Sequence, residues 1–143
     1  MVELEILGAP AAVAAMPTAD VLPAEEMPSA EEMLRLCSLA AASAGVDEGH
    51  IALEFVDEAR IAALNERYRS LAKPTDVLSF PVDGAGPAVG ARELGDVVIC
   101  LRHTADVREA IVHGVLHLLG MDHETDDGEM LALQRELLAE ARR

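Results

Sequence analysis

The chain has 143 residues, 26 acidic against 11 basic for a formal charge of -15, with 51% hydrophobic and only 2% aromatic side chains. This length suits one domain spanning 1–143, and the apolar fraction supplies an ordinary core, which excludes a disordered chain. No run approaches the roughly 18 consecutive apolar residues of a membrane span, and Glu3 and Glu5 stand where a secretory signal carries positive charge.

A cytoplasmic protein with no membrane partner is therefore expected. Cys37 and Cys100 lie apart, outside any CxxC pair, and suit a reducing compartment as small packed hydrophobes. The overall charge argues against indiscriminate binding to a phosphate backbone, and no DNA partner is expected. The distribution is uneven: residues 1–50 sum to -8, whereas Arg60, Arg67, Arg69 and Lys73 against Glu66 give +3 over residues 60–75. An anionic ligand is expected near that basic window.

Residues 2–7 (VELEIL) alternate apolar and charged, the period of a half-buried strand. An Ala/Pro-rich stretch to Pro28 reads as a loop. Ser29 with Glu32 forms a capping box, opening a helix with an apolar stripe from Met33 to Ala40 that ends near Gly45. Residues 51–56 (IALEFV) alternate again, and Asp57 is placed to cap a helix that turns Ile61, Leu64 and Tyr68 inward.

DVLSF at 76–80 reads as a short strand, and Pro81 to Gly90 as a Gly/Pro-rich loop. LGDVVICL at 94–101 is a further strand. Thr104 is placed to cap a helix reaching about Leu119, and Gly128 to Arg143 gives a last amphipathic helix. The order β-α-β-α-β-β-α-α predicts an α+β fold, a small mixed β-sheet packed with helices.

The chemistry concentrates in His113-Gly-Val-Leu-His117-Leu-Leu-Gly120-Met-Asp-His123, which holds three of the five histidines. Positions i and i+4 share a helix face, so His113 and His117 can point two imidazoles at one ion. Gly120 can end the helix in a left-handed turn and bring His123 back to the same ion. Three nitrogen ligands with an open fourth position describe a catalytic zinc site, one Zn2+ per chain.

The spacing matches the H-E-x-x-H-x-x-G-x-x-H pattern of the metzincin proteases, and the ligand helix is zincin-like, but Gly114 replaces their Glu. That Glu takes a proton from the zinc-bound water, so its loss argues against peptide hydrolysis by the same route.

HGVLHLLGMDHE also resembles the signature of the YbeY family. LNERYRSLAKPTDVLSFP at 64–81 is similar to that family's LNxxYR…PTDVLSFP block, and LGDVVIC at 94–100 to its LGD-strand block. The resemblance implies a single-strand-specific, zinc-dependent endoribonuclease acting in ribosomal RNA maturation, at the small-subunit 3' end, and in ribosome quality control. It implies His113, His117 and His123 as zinc ligands and Arg69 as the arginine of the catalytic cleft.

Arg69 also lies in the basic window, where a guanidinium can grip a phosphate bidentately. Zinc can polarise a phosphate oxygen or lower the pKa of its water to about 7. The proton-transfer group then comes from Asp76, Asp122 or Glu124, the alternative being that zinc-bound water needs no separate base. Asp122 can alternatively orient a ligand histidine or cap the turn.

Thr75 and Ser79 read as hydrogen-bond partners of the loop, Asp96 as structural at the head of its strand, and His50 and His103 as surface residues. The connection LRHTADVREAIV before His113 is shorter than in the family, so the ligand helix should start about two turns ahead of it.

Aromatics for base stacking are scarce: Tyr68, Phe55 and Phe80 are the complete set, and the two phenylalanines read as core. Single-stranded or ribosomal RNA is the expected partner, bound weakly and with salt sensitivity. The competing function is a non-catalytic zinc-containing ribosome-assembly factor working through a ribosomal protein or a ribosome-associated GTPase. A third is a zinc hydrolase of small phosphoesters or peptides.

Overall fold

Alternating side chains build four strands, and capped amphipathic segments build four helices, in the computed structural model, which describes residues 2–8, 27–69, 75–83 and 92–143, with residue 69 as backbone only. In chain order these are β1 (Val2–Leu7), α1 (Ala30–Ser43), β2 (Gly49–Val56), α2 (Glu58–Arg69), β3 (Val77–Pro81), β4 (Glu93–Cys100), a 3-10 turn (Leu101–His103), α3 (Val107–Leu118) and α4 (Glu129–Ala141). The expected loops before Pro28 and after Pro81 fall largely outside the described residues.

The sheet runs β1-β2-β4-β3, with β1, β2 and β4 parallel and β3 antiparallel to β4. It is therefore the mixed sheet of an α+β fold. Its side chains alternate between two cores. Ile51, Leu53, Phe55, Val97 and Ile99 face a large cluster with Met33, Leu36 and Cys37 of α1 and Ile111, Val115 and Leu118 of α3. On the opposite face Val56, Leu78, Val98 and Cys100 pack under Ile61 of α2.

The caps show which local signals govern. Ser29 Oγ accepts the Glu32 N–H at 3.1 Å, but the Glu32 carboxylate turns away from the capping box and takes Arg108 of α3, accepting from Nε at 2.6 Å and Nη2 at 2.9 Å. Asp57 Oδ1 accepts the Arg60 N–H at 2.8 Å, as its position predicts.

Thr104 does not cap α3. Its hydroxyl donates back to the Cys100 carbonyl at 2.7 Å, and Asp106 takes the cap by accepting the Glu109 N–H at 3.2 Å. The 3-10 turn consumes the residues between strand and cap. As the short connection predicts, α3 starts at Val107, under two turns before His113.

Two further expectations change. Asp96 is the fourth residue of β4, not its head, and it lies exposed on the strand. Tyr68 does not turn inward with Ile61 and Leu64; it is 56% exposed.

Candidate metal centre

The centre is assembled by one helix and the turn that ends it. α3 presents His113 and His117 one turn apart, and their ring centroids lie 4.7 Å from each other. Leu119 closes the helix and Gly120 follows at φ +96°, a left-handed conformation that a side chain would strain. The Gly120 N–H bonds the His117 carbonyl at 3.0 Å and the Met121 N–H bonds the Leu116 carbonyl at 3.1 Å, the paired reverse bonds of a Schellman turn.

That turn swings His123 back, to ring centroids 4.9 Å from His113 and 5.5 Å from His117. Asp122 secures the return: its Oδ1 accepts the Glu124 N–H at 2.9 Å, and its carbonyl accepts the Asp126 N–H at 3.2 Å. Of the three roles the sequence left open for Asp122, capping the turn is the one with hydrogen bonds behind it.

Each histidine offers one nitrogen to a common point, the three atoms lying within 4.8 Å of one another. The second nitrogen decides which atom is free. His113 Nδ1–H donates to Gln134 Oε1 of α4 at 2.8 Å, and His117 Nδ1–H donates to the Met121 carbonyl at 2.9 Å. In a neutral ring that tautomer leaves Nε2 as the acceptor, and the two Nε2 atoms face each other at 3.1 Å.

His123 Nδ1 is buried without a hydrogen-bond partner. Two opposed lone pairs are unfavourable by themselves, and a shared cation satisfies both. Burial, reinforced by the neighbouring His113, holds the His117 imidazole below its usual range despite the Met121 hydrogen bond, so it stands neutral, the form that ligates. The triad can hold a metal ion, and an all-imidazole set suits a first-row divalent cation.

Gln134 escapes the sequence reading. Its signal is a polar residue in the apolar stripe of α4, between Met130 and Leu137, where it is only 5% exposed. A buried amide in a stripe needs a partner, and here the partner is a ligand histidine.

Gly114, next to the first ligand, faces the sheet. A Cβ there would run into Val97 Cγ1 and lie 3.2 Å from Val97 Cγ2 and 3.3 Å from Val77 Cγ2. The position that carries Glu in the metzincin pattern has no room for a side chain here. Ser79 Oγ donates to the Gly114 carbonyl at 2.9 Å, so its partner is α3 and not the loop its sequence suggested, and the bond ties β3 to the helix that carries His113 and His117.

The triad opens into a cleft of about 890 Å3 between β3 and the 120–124 turn, with Tyr68 at the end of α2, and with Thr75, Asp76, Asp122 and Glu124 on its walls. Of the expected proton carriers, all three thus reach the cleft. Asp76 Oδ1 accepts the Val77 N–H at 2.8 Å. Thr75 Oγ1 donates to the same oxygen at 3.4 Å.

Arg69 is the last residue of α2; its side chain, like Lys73, lies outside the described residues. Arg60 and Arg67 are exposed on α2. His50 and His103 are partly exposed away from the triad, paired with Glu93 at 2.9 Å and Glu58 at 3.0 Å.

Residues 23–142 match the family model described as endoribonuclease YbeY. A relative of that name from Bradyrhizobium sp. is 38% identical over 149 aligned positions, covering 87% of this chain and 88% of its own. Another from Alcanivorax borkumensis is 38% identical over 141 positions, covering 86% and 81%. The solution structure of a Thermotoga maritima protein overlays with a TM-score of 0.49 at 23% identity, covering 96% of this chain and 88% of the other.

Proposed function

The chain belongs to the endoribonuclease YbeY family, and from that premise we propose that it is a zinc-dependent endoribonuclease cleaving single-stranded RNA. The observation that carries the reading is the convergence of three imidazole nitrogens within 4.8 Å at a cleft reached by the end of the basic helix α2. Its setting is the cytoplasm and its substrate ribosomal RNA, in maturation of the small-subunit 3' end and in ribosome quality control, with ribosomal proteins or a ribosome-associated GTPase as companions.

His113, His117 and His123 would hold the zinc. Bound there, it would supply Lewis acidity toward a phosphate oxygen and would acidify a water molecule. Around it, Gln134 and the Met121 carbonyl keep two imidazoles in the ligating tautomer.

Arg69, with Arg67 adjoining, grips the phosphate and balances the charge that grows on it. Hydrolysis joins a water oxygen to phosphorus, breaks one P–O ester bond and needs a proton on the departing oxygen. The Asp76 carboxylate is assigned the proton traffic. Asp122 holds the turn that carries His123 and acts as a positioning residue, and Glu124 stands in reserve on the same wall.

The test is cleavage of a single-stranded oligoribonucleotide by zinc-loaded protein, beside chelated protein and the variants His117→Ala, Arg69→Ala, Asp76→Asn and Asp122→Asn. Cleavage is expected only with metal, lost in His117→Ala and Arg69→Ala, and reduced in kcat with full zinc content in Asp76→Asn. Asp122→Asn is expected to lose zinc affinity first. Intact RNA in the presence of zinc-loaded wild-type protein overturns the proposal.

A further inference from the structure

We propose that Tyr68 is the residue on which an unpaired nucleobase stacks when RNA occupies the cleft. The inference rests on the nuclease reading of the cleft and adds to it the origin of single-strand selectivity.

Tyr68 is where the fold departs from the helical pattern. The apolar stripe of α2 would bury it, yet it is 56% exposed, while Ile61 on the same helix is fully buried. The ring is steadied on two sides and still half exposed: Phe80 of β3 meets it at a centroid distance of 4.9 Å and 63°, in a T-shaped pair, and the Arg67 guanidinium carbon lies over it, 5.4 Å from its centroid. Phe80 is anchored in a strand that also carries Ser79, bonded to the ligand helix. The platform and the histidines are thus held to the same rigid strand, and both line one cleft.

The chemistry of the occupant follows from these neighbours. A half-exposed aromatic ring with a mobile guanidinium over it offers a stacking surface and one positive charge, the pairing that single-stranded nucleic acid uses. A base inside a duplex is stacked on both sides and cannot lie on the ring, so the platform admits a splayed nucleotide and rejects a helix. Every base has a π face, so the selection is for strandedness and is tolerant of sequence.

Tyr68 is the sole tyrosine in a chain without tryptophan, so tyrosine emission reports on this ring alone. Titration of zinc-loaded protein with a short single-stranded oligoribonucleotide is expected to quench that emission saturably, and the same strand in a duplex is expected to leave it unchanged. In cleavage assays Tyr68→Ala is expected to raise KM roughly five- to a hundredfold, the range for one stacked base, with kcat within about twofold. Tyr68→Phe should retain wild-type KM and melting temperature, and zinc content should stay at the wild-type value in both variants.

Wild-type protein that cleaves RNA while Tyr68→Ala matches it in KM overturns this inference and leaves the nuclease reading standing. A Tyr68→Phe variant as impaired as Tyr68→Ala also overturns it, because the hydroxyl would then be acting and not the ring. Saturable quenching without cleavage supports the stacking platform and overturns the nuclease reading.

Discussion

Replacing Gly114 with alanine sets two well-separated energies against each other. Gly in the middle of a helix is about 1 kcal/mol less favourable than Ala, so helix propensity alone expects Gly114→Ala to stabilise α3. The structure expects the reverse. The new methyl would overlap Val97 Cγ1 and press on Val97 Cγ2 and Val77 Cγ2 at 3.2 and 3.3 Å, where apolar carbons prefer about 3.5–4.0 Å.

Val97 is fully buried in β4 and its branched side chain has no flexible end to swing aside. Relief therefore requires α3 to rise from the sheet by on the order of 1 Å, a displacement of overpacking that costs up to about 3 kcal/mol. Net of propensity, the variant should be about 2 kcal/mol less stable, read as a lower urea midpoint at unchanged slope.

The same lift stretches the Ser79–Gly114 hydrogen bond and moves His113, so zinc affinity, measured by chelator competition, should fall as well. Adding Val97→Ala should recover part of both losses, since it removes the clashing methyls. A Gly114→Ala protein with a midpoint at or above wild type would refute the packing argument. Gly114→Glu, which restores the metzincin spacing, should fail to fold rather than gain peptidase activity, because its carboxylate would enter the sheet and not the cleft.

Gln134→Leu should weaken zinc binding roughly 10- to 100-fold with little change in fold, because it frees the tautomer of His113; isothermal titration would read it. Gly120→Ala has space but the wrong backbone, at φ +96° with nothing within 4 Å, and should cost about 1–2 kcal/mol by chemical denaturation. A double-mutant cycle of Glu32→Ala and Arg108→Ala should return a coupling of about 1 kcal/mol for the bidentate, partly buried bond that fastens α3 to α1. The Glu93 hydrogen bond, opposed by burial and aided by Glu5 and Glu3, raises the His50 pKa. Its stabilisation is therefore complete below the unfolded value of about 6.5 and lost as pH rises through the higher folded value. His50→Asn should flatten the melting-temperature profile across that window.

The sequence made legible what is local. The i, i+4 histidines, the left-handed glycine and the third histidine all belong to one continuous helix-and-turn unit, so spacing alone determines that they meet. The order of elements along the chain was readable for the same reason, from alternation and from the caps at Ser29 and Asp57, whereas the strand order in the sheet was not. What escaped depends on how the chain turns and on where a helix runs relative to the core. Thr104 is a good cap by type, but the 3-10 turn after β4 returns its hydroxyl to Cys100 and leaves the cap to Asp106. Tyr68 fits the inward stripe of α2, but by the last turn the helix has run past the small core under it, and the ring emerges beside Phe80.

Gly114 shows how the two kinds of information combine. By spacing it is the position of a catalytic Glu, and by sequence its glycine is only an absence. The sheet beneath supplies the cause: α3 lies so close to β3 and β4 that the residue after the first ligand must lack a side chain. That close approach also lets Ser79 reach the helix carbonyl and sets β3, with Phe80 and the exposed ring of Tyr68, along the cleft. The geometry that removes a general base next to the triad thus leaves a groove walled by a strand, an aromatic face and carboxylates on separate loops. On the proposed hydrolytic route the proton carrier comes from across the cleft, which makes Asp76→Asn, with zinc retained and turnover reduced, the variant on which that proposal turns.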